Sequence, residues 1–309
     1  MRLIYCGTPD FSVSALNALS EAGHEIVLTV TQPDKPKGRS GKLQPSPVKE
    51  AALKLGLPVF QPERLRDEGI FEKFSELAPD AIIVVAFGQI VPKNILDLPK
   101  YGCINVHASL LPAYRGAAPI QWAILDGHEK TGVSIMQMNE GLDTGDILSV
   151  CEVPIADDET GGSLFNKLAD EGANLLIKTL NDIETGNISP VPQPAESTTP
   201  YARMIKKTDG LIDWNDPAEK IDRQIRGLYP WPGAYTAFAG KTLKVIKASV
   251  CEEESSCLSG EIVSLDKKGF KVKTGTGVLN IEMLQLEGKK PMDAKSFVNG
   301  VKEVPAKLG

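Results

Sequence analysis

The first 150 residues alternate short apolar runs with segments whose apolar positions recur at helical spacing. The continuous apolar runs predict buried strands at residues 3–6, 26–31, 81–87, 104–106 and 133–138. Helical spacing predicts helices over residues 12–22, 47–55 and 71–77. Because continuous apolar strands separated by helices are typical of α/β folds, this pattern predicts a mainly parallel sheet covered on both faces.

The pattern changes after residue 164. One long amphipathic helix is predicted over residues 164–184, and the next segment, 189–200, contains four prolines, a composition typical of an extended, fairly stiff linker. One helix near 216–228 and four short strands with glycine-containing turns then predict a small β-barrel. The strands are expected at residues 242–250, 258–265, 269–274 and 278–284.

Composition and cysteine usage exclude several classes of protein. The chain has 309 residues, of which 42% are hydrophobic and 24% charged, as in ordinary globular proteins. The longest apolar run has seven residues, too few for a membrane span, and no secretory signal is visible. The five cysteines show no spacing that suggests a metal site or a disulfide framework, so we expect a reduced, cytoplasmic protein without a metal.

Charge is unevenly distributed along the chain. The net charge is −6, which by itself disfavours a nucleic-acid partner, but residues 200–309 carry +4 and residues 1–199 carry −10. Such asymmetry is a weak indication of polyanion binding, and ordinary scatter explains it equally well. The polar loop at 33–49 is also basic and suits either a mobile surface loop or a polyanion contact. Its charged residues are Lys35, Lys37, Arg39, Lys42 and Lys49, against Asp34.

Candidate chemistry follows the fourth predicted strand, in N-V-H-A-S-L-L-P-A-Y-R-G-A-A-P-I at 105–120. Asn105 and His107 are two residues apart, so on a strand they share one face, at the sheet edge where α/β folds bind ligands. An asparagine amide can donate to a carbonyl oxygen that becomes negative, and a histidine can exchange protons. Asp143 or Asp146 could orient the histidine.

Structural explanations remain open for each of these features taken singly. A histidine at a strand end is often only packed there, Asp beside Gly is a common turn former, and R-G-A-A-P suits a tight loop before a helix near Pro119. The opening C-G-T-P-D-F lacks the G-x-G-x-x-G pattern, so a dinucleotide-dependent dehydrogenase is disfavoured.

Taken together, the motifs resemble a known family. N-V-H-A-S-L-L-P, T-G-V-S-I-M at 131–136 and G-L-D-T-G-D-I at 141–147 are similar to the 10-formyltetrahydrofolate-dependent formyltransferases. The segments V-T-Q-P-D-K-P-K-G-R at 30–39, S-P-V-K at 46–49 and Y-P-W-P-G at 229–233 resemble the branch of that family that acts on methionyl-tRNA.

The resemblance implies a fold and an activity. We expect a Rossmann-like catalytic domain at 1–189, a Pro-rich linker at 190–206 and an OB-like tRNA-binding domain at 207–309. The implied reaction transfers a formyl group from 10-formyltetrahydrofolate, a co-substrate, to the α-amino group of initiator methionyl-tRNA, with no tightly bound cofactor. The formylated product would serve translation initiation. Separately, because the sequence shows no exposed heptad pattern and no apolar edge-strand pattern, we expect a monomer.

The resemblance also assigns residues. Asn105, His107 and Asp143 would be the catalytic trio, with the first two stabilising the oxyanion and the aspartate holding the histidine. Folate would contact Ser109, Leu110, Leu111 and Pro112, and the backbone around Phe87, Gly88 and Ile90. The loop residues Lys35, Lys37, Arg39 and Lys42 would contact tRNA, and further contacts would come from Lys206, Lys207, Arg223, Lys241, Lys244 and Lys247.

Two other classes of function remain. A nucleotide-sugar formyltransferase or a 10-formyltetrahydrofolate hydrolase would share the catalytic trio but is not expected to carry K-P-K-G-R. An RNA-binding protein that kept this fold without catalysis is a further alternative, which the intact trio disfavours.

Overall fold

The computed structural model describes residues 1–36, 41–266, 269–301 and 304–309, so the predicted tRNA contacts Lys37 and Arg39 lie outside the described residues. The chain forms two compact units. The first comprises Met1–Pro119, Lys130–Pro154 and Phe165–Ala202. The second comprises Ile120–Glu129, Ile155–Leu164 and Arg203–Gly309.

A seven-stranded sheet forms the centre of the first unit. Its strands and an accessory pair are β1 (Arg2–Gly7), β2 (Glu25–Val30), β3 (Lys35–Pro36), β4 (Leu43–Gln44), β5 (Val59–Phe60), β6 (Ala81–Val85), β7 (Cys103–His107), β8 (Lys130–Gln137) and β9 (Ile147–Pro154). The sheet order is β5-β2-β1-β6-β7-β8-β9, and β3 pairs only with β4. In sheet order, the five strands from β5 to β7 run parallel, whereas β8 and β9 are antiparallel to their neighbours. The sheet is therefore mainly parallel, as predicted.

Helices connect these strands. They are α1 (Phe11–Glu21), α2 (Pro47–Lys54), α3 (Ile70–Glu76), α4 (Lys93–Leu96), α5 (Pro119–Leu125) and α6 (Gly161–Glu184). Local chemistry explains where α2 begins, because the Ser46 hydroxyl accepts a hydrogen bond from the Lys49 backbone N–H at 3.0 Å and Pro47 occupies the first helical position. Among the described residues, no helix is long and apolar enough to cross a membrane.

The central strands β1, β6 and β7 supply much of the core of the first unit. Every residue of β6 and β7 is buried, which explains their continuous apolar runs. The strand β9 has no such run because most of its residues are half-buried or exposed, and the sequence did not predict it.

An antiparallel sheet forms the second unit. Its elements are α7 (Ala218–Gly227), β10 (Ala234–Phe238), β11 (Lys241–Cys251), β12 (Ile262–Asp266), β13 (Gly269–Lys273), β14 (Val278–Leu286), β15 (Met292–Asp293) and α8 (Ala294–Gly300). The strand order is β10-β11-β14-β13-β12, with β15 on β14. Phe238, Phe270 and Phe297 pack together in its core, with ring centroids 5.1–6.4 Å apart.

Candidate active site

Strand β7 carries Asn105 and His107 at its carboxyl end, between β6 and β8. Asn105 pairs in register with Val84 of β6, and His107 lies opposite Ser134 of β8. Both side chains are almost completely buried, with 9% and 6% of the residue surface exposed. The alternation of a strand therefore brings the two side chains to one face at the edge where parallel strands end.

A backbone carbonyl fixes the imidazole of His107. The Nε2 atom lies 3.0 Å from the carbonyl oxygen of Tyr114, and because a carbonyl oxygen only accepts, Nε2 carries the proton and donates it. In the neutral ring, Nδ1 then has a free lone pair. Nδ1 faces Oδ2 of Asp143 at 3.9 Å. This tautomer leaves Nδ1 able to accept a proton beside a carboxylate.

Asp143 is held by the backbone of the loop that follows β7. Its Oδ2 accepts a hydrogen bond from the Gly116 N–H at 2.8 Å, and its φ of 52° is in the left-handed region. The distance of 3.9 Å to His107 is within ion-pair range but too long for a hydrogen bond, and the hydrogen bond that fixes the imidazole goes to the Tyr114 carbonyl. The role of Asp143 towards His107 therefore stays a prediction. Asp146, the other carboxylate considered, forms no ion pair with His107 in the described part of the chain.

Gly116 has a structural reason to lack a side chain. A Cβ at this position would lie 2.6 Å from the Ala202 carbonyl oxygen and 2.6 Å from the Tyr201 ring, and its φ is 129°. Close packing by residues 201 and 202 therefore allows the Gly116 N–H to reach Asp143 only if this position is glycine.

The Asn105 amide differs from the His107 ring in its hydrogen bonding. Within the residues that the structure describes, its side chain makes no hydrogen bond, although it is nearly buried. A buried amide normally finds a partner. The Asn105 N–H groups are therefore free to bind an oxygen of a ligand.

The predicted folate loop is ordered by Ser134 of β8. The Ser134 hydroxyl donates to the Ser109 carbonyl at 2.7 Å and accepts from the Leu111 N–H at 3.0 Å. Leu111 is 7% exposed, whereas Leu110 and Pro112 are half-buried. The loop is thus fixed against β8 and leaves Leu110 and Pro112 partly accessible.

The second predicted folate segment follows β6. The Phe87 side chain packs in the core with only 2% of its surface exposed, so only its backbone could meet a ligand. Thr8 and Gln32 donate side-chain hydrogen bonds to the Phe87 carbonyl at 2.9 and 3.0 Å. Gly88 is exposed, and Ile90 is 88% exposed and packs against little.

In the predicted tRNA loop, the structure describes Lys35 and Lys42, and both are exposed. Lys35 donates to the Gln32 side chain. Lys49 contacts Asp34 at 2.8 Å, so its charge is offset, and hydrogen bonds from Lys49 and Gln61 lower the pKa of the Asp34 carboxyl. The accessible basic groups of the described loop are therefore Lys35 and Lys42.

Sequence reasoning missed two residues near the trio, Arg115 and Gln193. Arg115 is 8% exposed, and its guanidinium donates to the Gln193 side chain, while Gln193 in turn donates to backbone carbonyls of the Asp143 loop. A signal for Arg115 existed in R-G-A-A-P, because a charged residue among small apolar residues can indicate a buried, paired side chain. Gln193 lies in the Pro-rich segment and had no such signal.

Potential metal ligands do not cluster in the described residues. No group of three or more His, Cys, Asp or Glu side chains there is placed to hold an ion.

Comparisons with known proteins support one family. Residues 1–180 match the formyl transferase family model, and residues 204–302 match the model of the formyl transferase C-terminal domain. A methionyl-tRNA formyltransferase of Agathobacter rectalis is 54% identical over 97% of this chain and 96% of its own. That of Bacillus licheniformis is 50% identical over 97% of this chain and 95% of its own.

Solved structures share the fold at low identity. WlaRD, a sugar 3N-formyl transferase, superposes with a TM-score of 0.68 at 18% identity, covering 94% of this chain and 99% of its own. HypX from Aquifex aeolicus, in complex with tetrahydrofolic acid, superposes with a TM-score of 0.65 at 20% identity, covering 99% of this chain and 49% of its own. At these identities the likeness concerns the fold alone.

Proposed function

Because the chain belongs to the methionyl-tRNA formyltransferase family, we propose that it transfers the formyl group of 10-formyltetrahydrofolate to the α-amino group of initiator methionyl-tRNA. The observation that carries this proposal is the meeting of Asn105, His107 and Asp143 at the carboxyl edge of the sheet, with Nδ1 of His107 3.9 Å from the carboxylate. The product would serve translation initiation.

The chemistry requires charge stabilisation and one proton transfer. When the amine attacks the formyl carbon, the carbonyl oxygen becomes negative, and the Asn105 amide, which has no partner among the described residues, can donate to it. His107 Nδ1 accepts the proton that the attacking amine loses, while Nε2 keeps its hydrogen bond to Tyr114.

Asp143 stabilises the imidazolium that this transfer creates. Its carboxylate faces Nδ1 and stays in place through the Gly116 N–H. When the carbon–N10 bond breaks, His107 returns the proton to N10 of the folate and regains its neutral tautomer. The amine thus gains the formyl group and loses a proton, and the folate loses the formyl group and gains that proton. The reaction therefore needs no further reactant.

We assign the remaining predicted residues in the same way. Folate would lie against the loop at 109–112 and the backbone at 87–90, since both follow strands that end beside Asn105 and His107. The loop that contains Lys35, Lys37, Arg39 and Lys42 and the OB-like second domain would bind tRNA. The protein would act as a cytoplasmic monomer without a tightly bound cofactor, and the domain limits 1–189, 190–206 and 207–309 remain part of this proposal.

The direct test is formyl transfer from 10-formyltetrahydrofolate to charged initiator methionyl-tRNA, measured beside free methionine, a nucleotide-linked amino sugar and water alone. We expect rapid formylation of the charged tRNA only. Formylation of the amino sugar, or folate hydrolysis without an acceptor, would contradict the assigned substrate. His107→Ala provides the control for chemistry, and we expect it to reduce kcat at least about a hundredfold while the protein stays folded.

A further inference from the structure

The Pro-rich segment 191–202, which we call the strap, forms hydrogen bonds with two loops of the active site. One is the loop that follows β7, and the other is the loop that carries Asp143. Its Ser197 hydroxyl donates to the Pro112 carbonyl at 2.6 Å, and its Thr199 hydroxyl accepts from the Tyr114 N–H at 2.7 Å. Ala202 accepts hydrogen bonds from the N–H groups of residues 117 and 118. The strap therefore borders the reaction centre, although its composition predicts only a linker.

Gln193 of the strap contacts the loop that carries Asp143. Its Nε2 donates to the carbonyl oxygens of Asp143 at 3.1 Å and Gly145 at 2.6 Å, so both N–H bonds of the amide can be used. That loop is tight, because Asp143 has a positive φ and a Cβ on Gly145 would lie 1.7 Å from the Gln137 carbonyl oxygen.

Arg115 determines which way the Gln193 amide faces. Its Nε and Nη2 both donate to Gln193 Oε1, at 3.1 and 2.8 Å, and the guanidinium also donates to the carbonyls of Pro194 and Ala195. A fork that occupies Oε1 leaves Nε2 pointing at the two carbonyls. Since Arg115 is buried, this contact is shielded from competing water.

We propose that Gln193, oriented by Arg115, is a positioning residue that holds the Asp143 loop so that the Asp143 carboxylate stays beside His107. In the described part of the chain, Gln193 makes no hydrogen bond to His107 or to the Asp143 carboxylate, and it acts through the backbone of the Asp143 loop. The inference rests on the proposed function, because it assigns Gln193 to the same reaction.

Gln193→Glu is the sharpest test of this role. The substituted side chain keeps the acceptor for Arg115 but places an oxygen where Nε2 faced two carbonyl oxygens, so the contact with the Asp143 loop becomes repulsive. We expect kcat to fall about 10- to 100-fold with the KM for folate within about twofold. Glu196→Gln, an exposed change in the same strap, is the matched control and should retain wild-type kcat.

A double-mutant cycle separates positioning from a general structural role. If Gln193 acts through Asp143, the variant with both Gln193→Glu and Asp143→Asn should be no slower than Asp143→Asn alone. Multiplied losses, or wild-type kcat in Gln193→Glu, would overturn the inference. Should Gln193→Glu fail to fold, Arg115→Lys, which keeps the charge but loses the fork, enters the same cycle with the same expected result.

A crystal structure of Gln193→Glu makes the result independent of the substrate assignment. We expect the His107 Nδ1 to Asp143 Oδ2 distance to increase from 3.9 Å as the loop moves. An unchanged distance would overturn the positioning role even if methionyl-tRNA is formylated. A changed distance in a protein that does not formylate methionyl-tRNA would contradict only the proposed function.

Discussion

At the scale of single residues, Asn105 and His107 share a strand and are nearly equally buried, but their side chains differ in hydrogen bonding. His107 is fixed by the Tyr114 carbonyl, whereas the Asn105 amide makes no hydrogen bond within the described part of the chain. The Asn105 amide atoms are not among the described side-chain atoms that are fully buried without a partner, so water can reach the amide until a ligand oxygen replaces it.

This difference predicts the behaviour of Asn105→Leu, a change of similar size that removes the amide. We expect kcat to fall about 100- to 1,000-fold, because an oxyanion donor is lost. We expect the melting temperature to stay level or rise, since no protein hydrogen bond is broken. Steady-state kinetics and thermal unfolding measure the two effects. A clear drop in melting temperature together with near-normal kcat would make Asn105 structural.

At the scale of elements, apolar periodicity identified those whose burial is uniform. The predicted strand at 104–106 lies within β7, whose residues are all buried. The helix near Pro119 was expected from the proline rather than from periodicity, and it begins at that residue as α5. The strand β9 and the strap were not predicted as they are found. β9 is partly exposed along most of its length, and the strap depends on side-chain contacts to residues far away along the chain, such as Ser197 with Pro112.

The same limit applies to the active site. The motif spacing predicted that Asn105 and His107 share a face, because two residues on one strand need no tertiary information. The tautomer of His107 and the contact of Gly116 with Asp143 depend on how the loop after β7 returns to the site. The spacing of residues in the sequence does not predict the course of that loop.

Substitution of Gly132 in β8 tests how closely β8 and β9 approach each other. A Cβ there would lie 2.0 Å from the Cys151 carbonyl oxygen and 2.5 Å from the Leu110 side chain, and backbone cannot move aside easily. We expect Gly132→Ala to lower the free energy of unfolding by about 1–3 kcal/mol, measured by denaturant titration. Gly300→Ala is the matched control, because a Cβ at Gly300 has no atom within 4 Å. Equal stability of both variants would contradict the close packing.

At the scale of the whole molecule, the spatial units change the argument from charge. The basic excess of residues 200–309 suggested a polyanion-binding domain, but the second unit also contains Ile120–Glu129 and Ile155–Leu164. These segments add five acidic residues and no Lys or Arg, so the unit has 18 basic and 19 acidic residues and a net charge of −1. The net charge of the unit therefore does not favour tRNA, and any attraction must come from local groups of lysines.

The two added segments also determine which protein should be assayed. Arg226 donates to the Glu159 carbonyl at 3.0 Å, and Arg223 donates to the Leu125 carbonyl at 3.3 Å. A fragment that begins at residue 207 would lack both carbonyls and the rest of their segments. Binding experiments on the second unit therefore require the full chain.

Local lysines make a specific prediction for tRNA binding by the full chain. Lys207 and Lys244 are exposed in the second unit, and each phosphate contact contributes roughly 0.7–0.9 to the slope of log K against log salt concentration. If both lysines contact phosphates, Lys207→Gln with Lys244→Gln should reduce that slope by about 1.5 and weaken binding at low salt. Lys54→Gln with Lys178→Gln, two exposed lysines of the first unit, removes the same charge and should leave the slope unchanged. If both double variants reduce the slope by the same amount, net charge rather than a basic face of the second unit governs the attraction. If neither reduces it, these lysines do not contact phosphates.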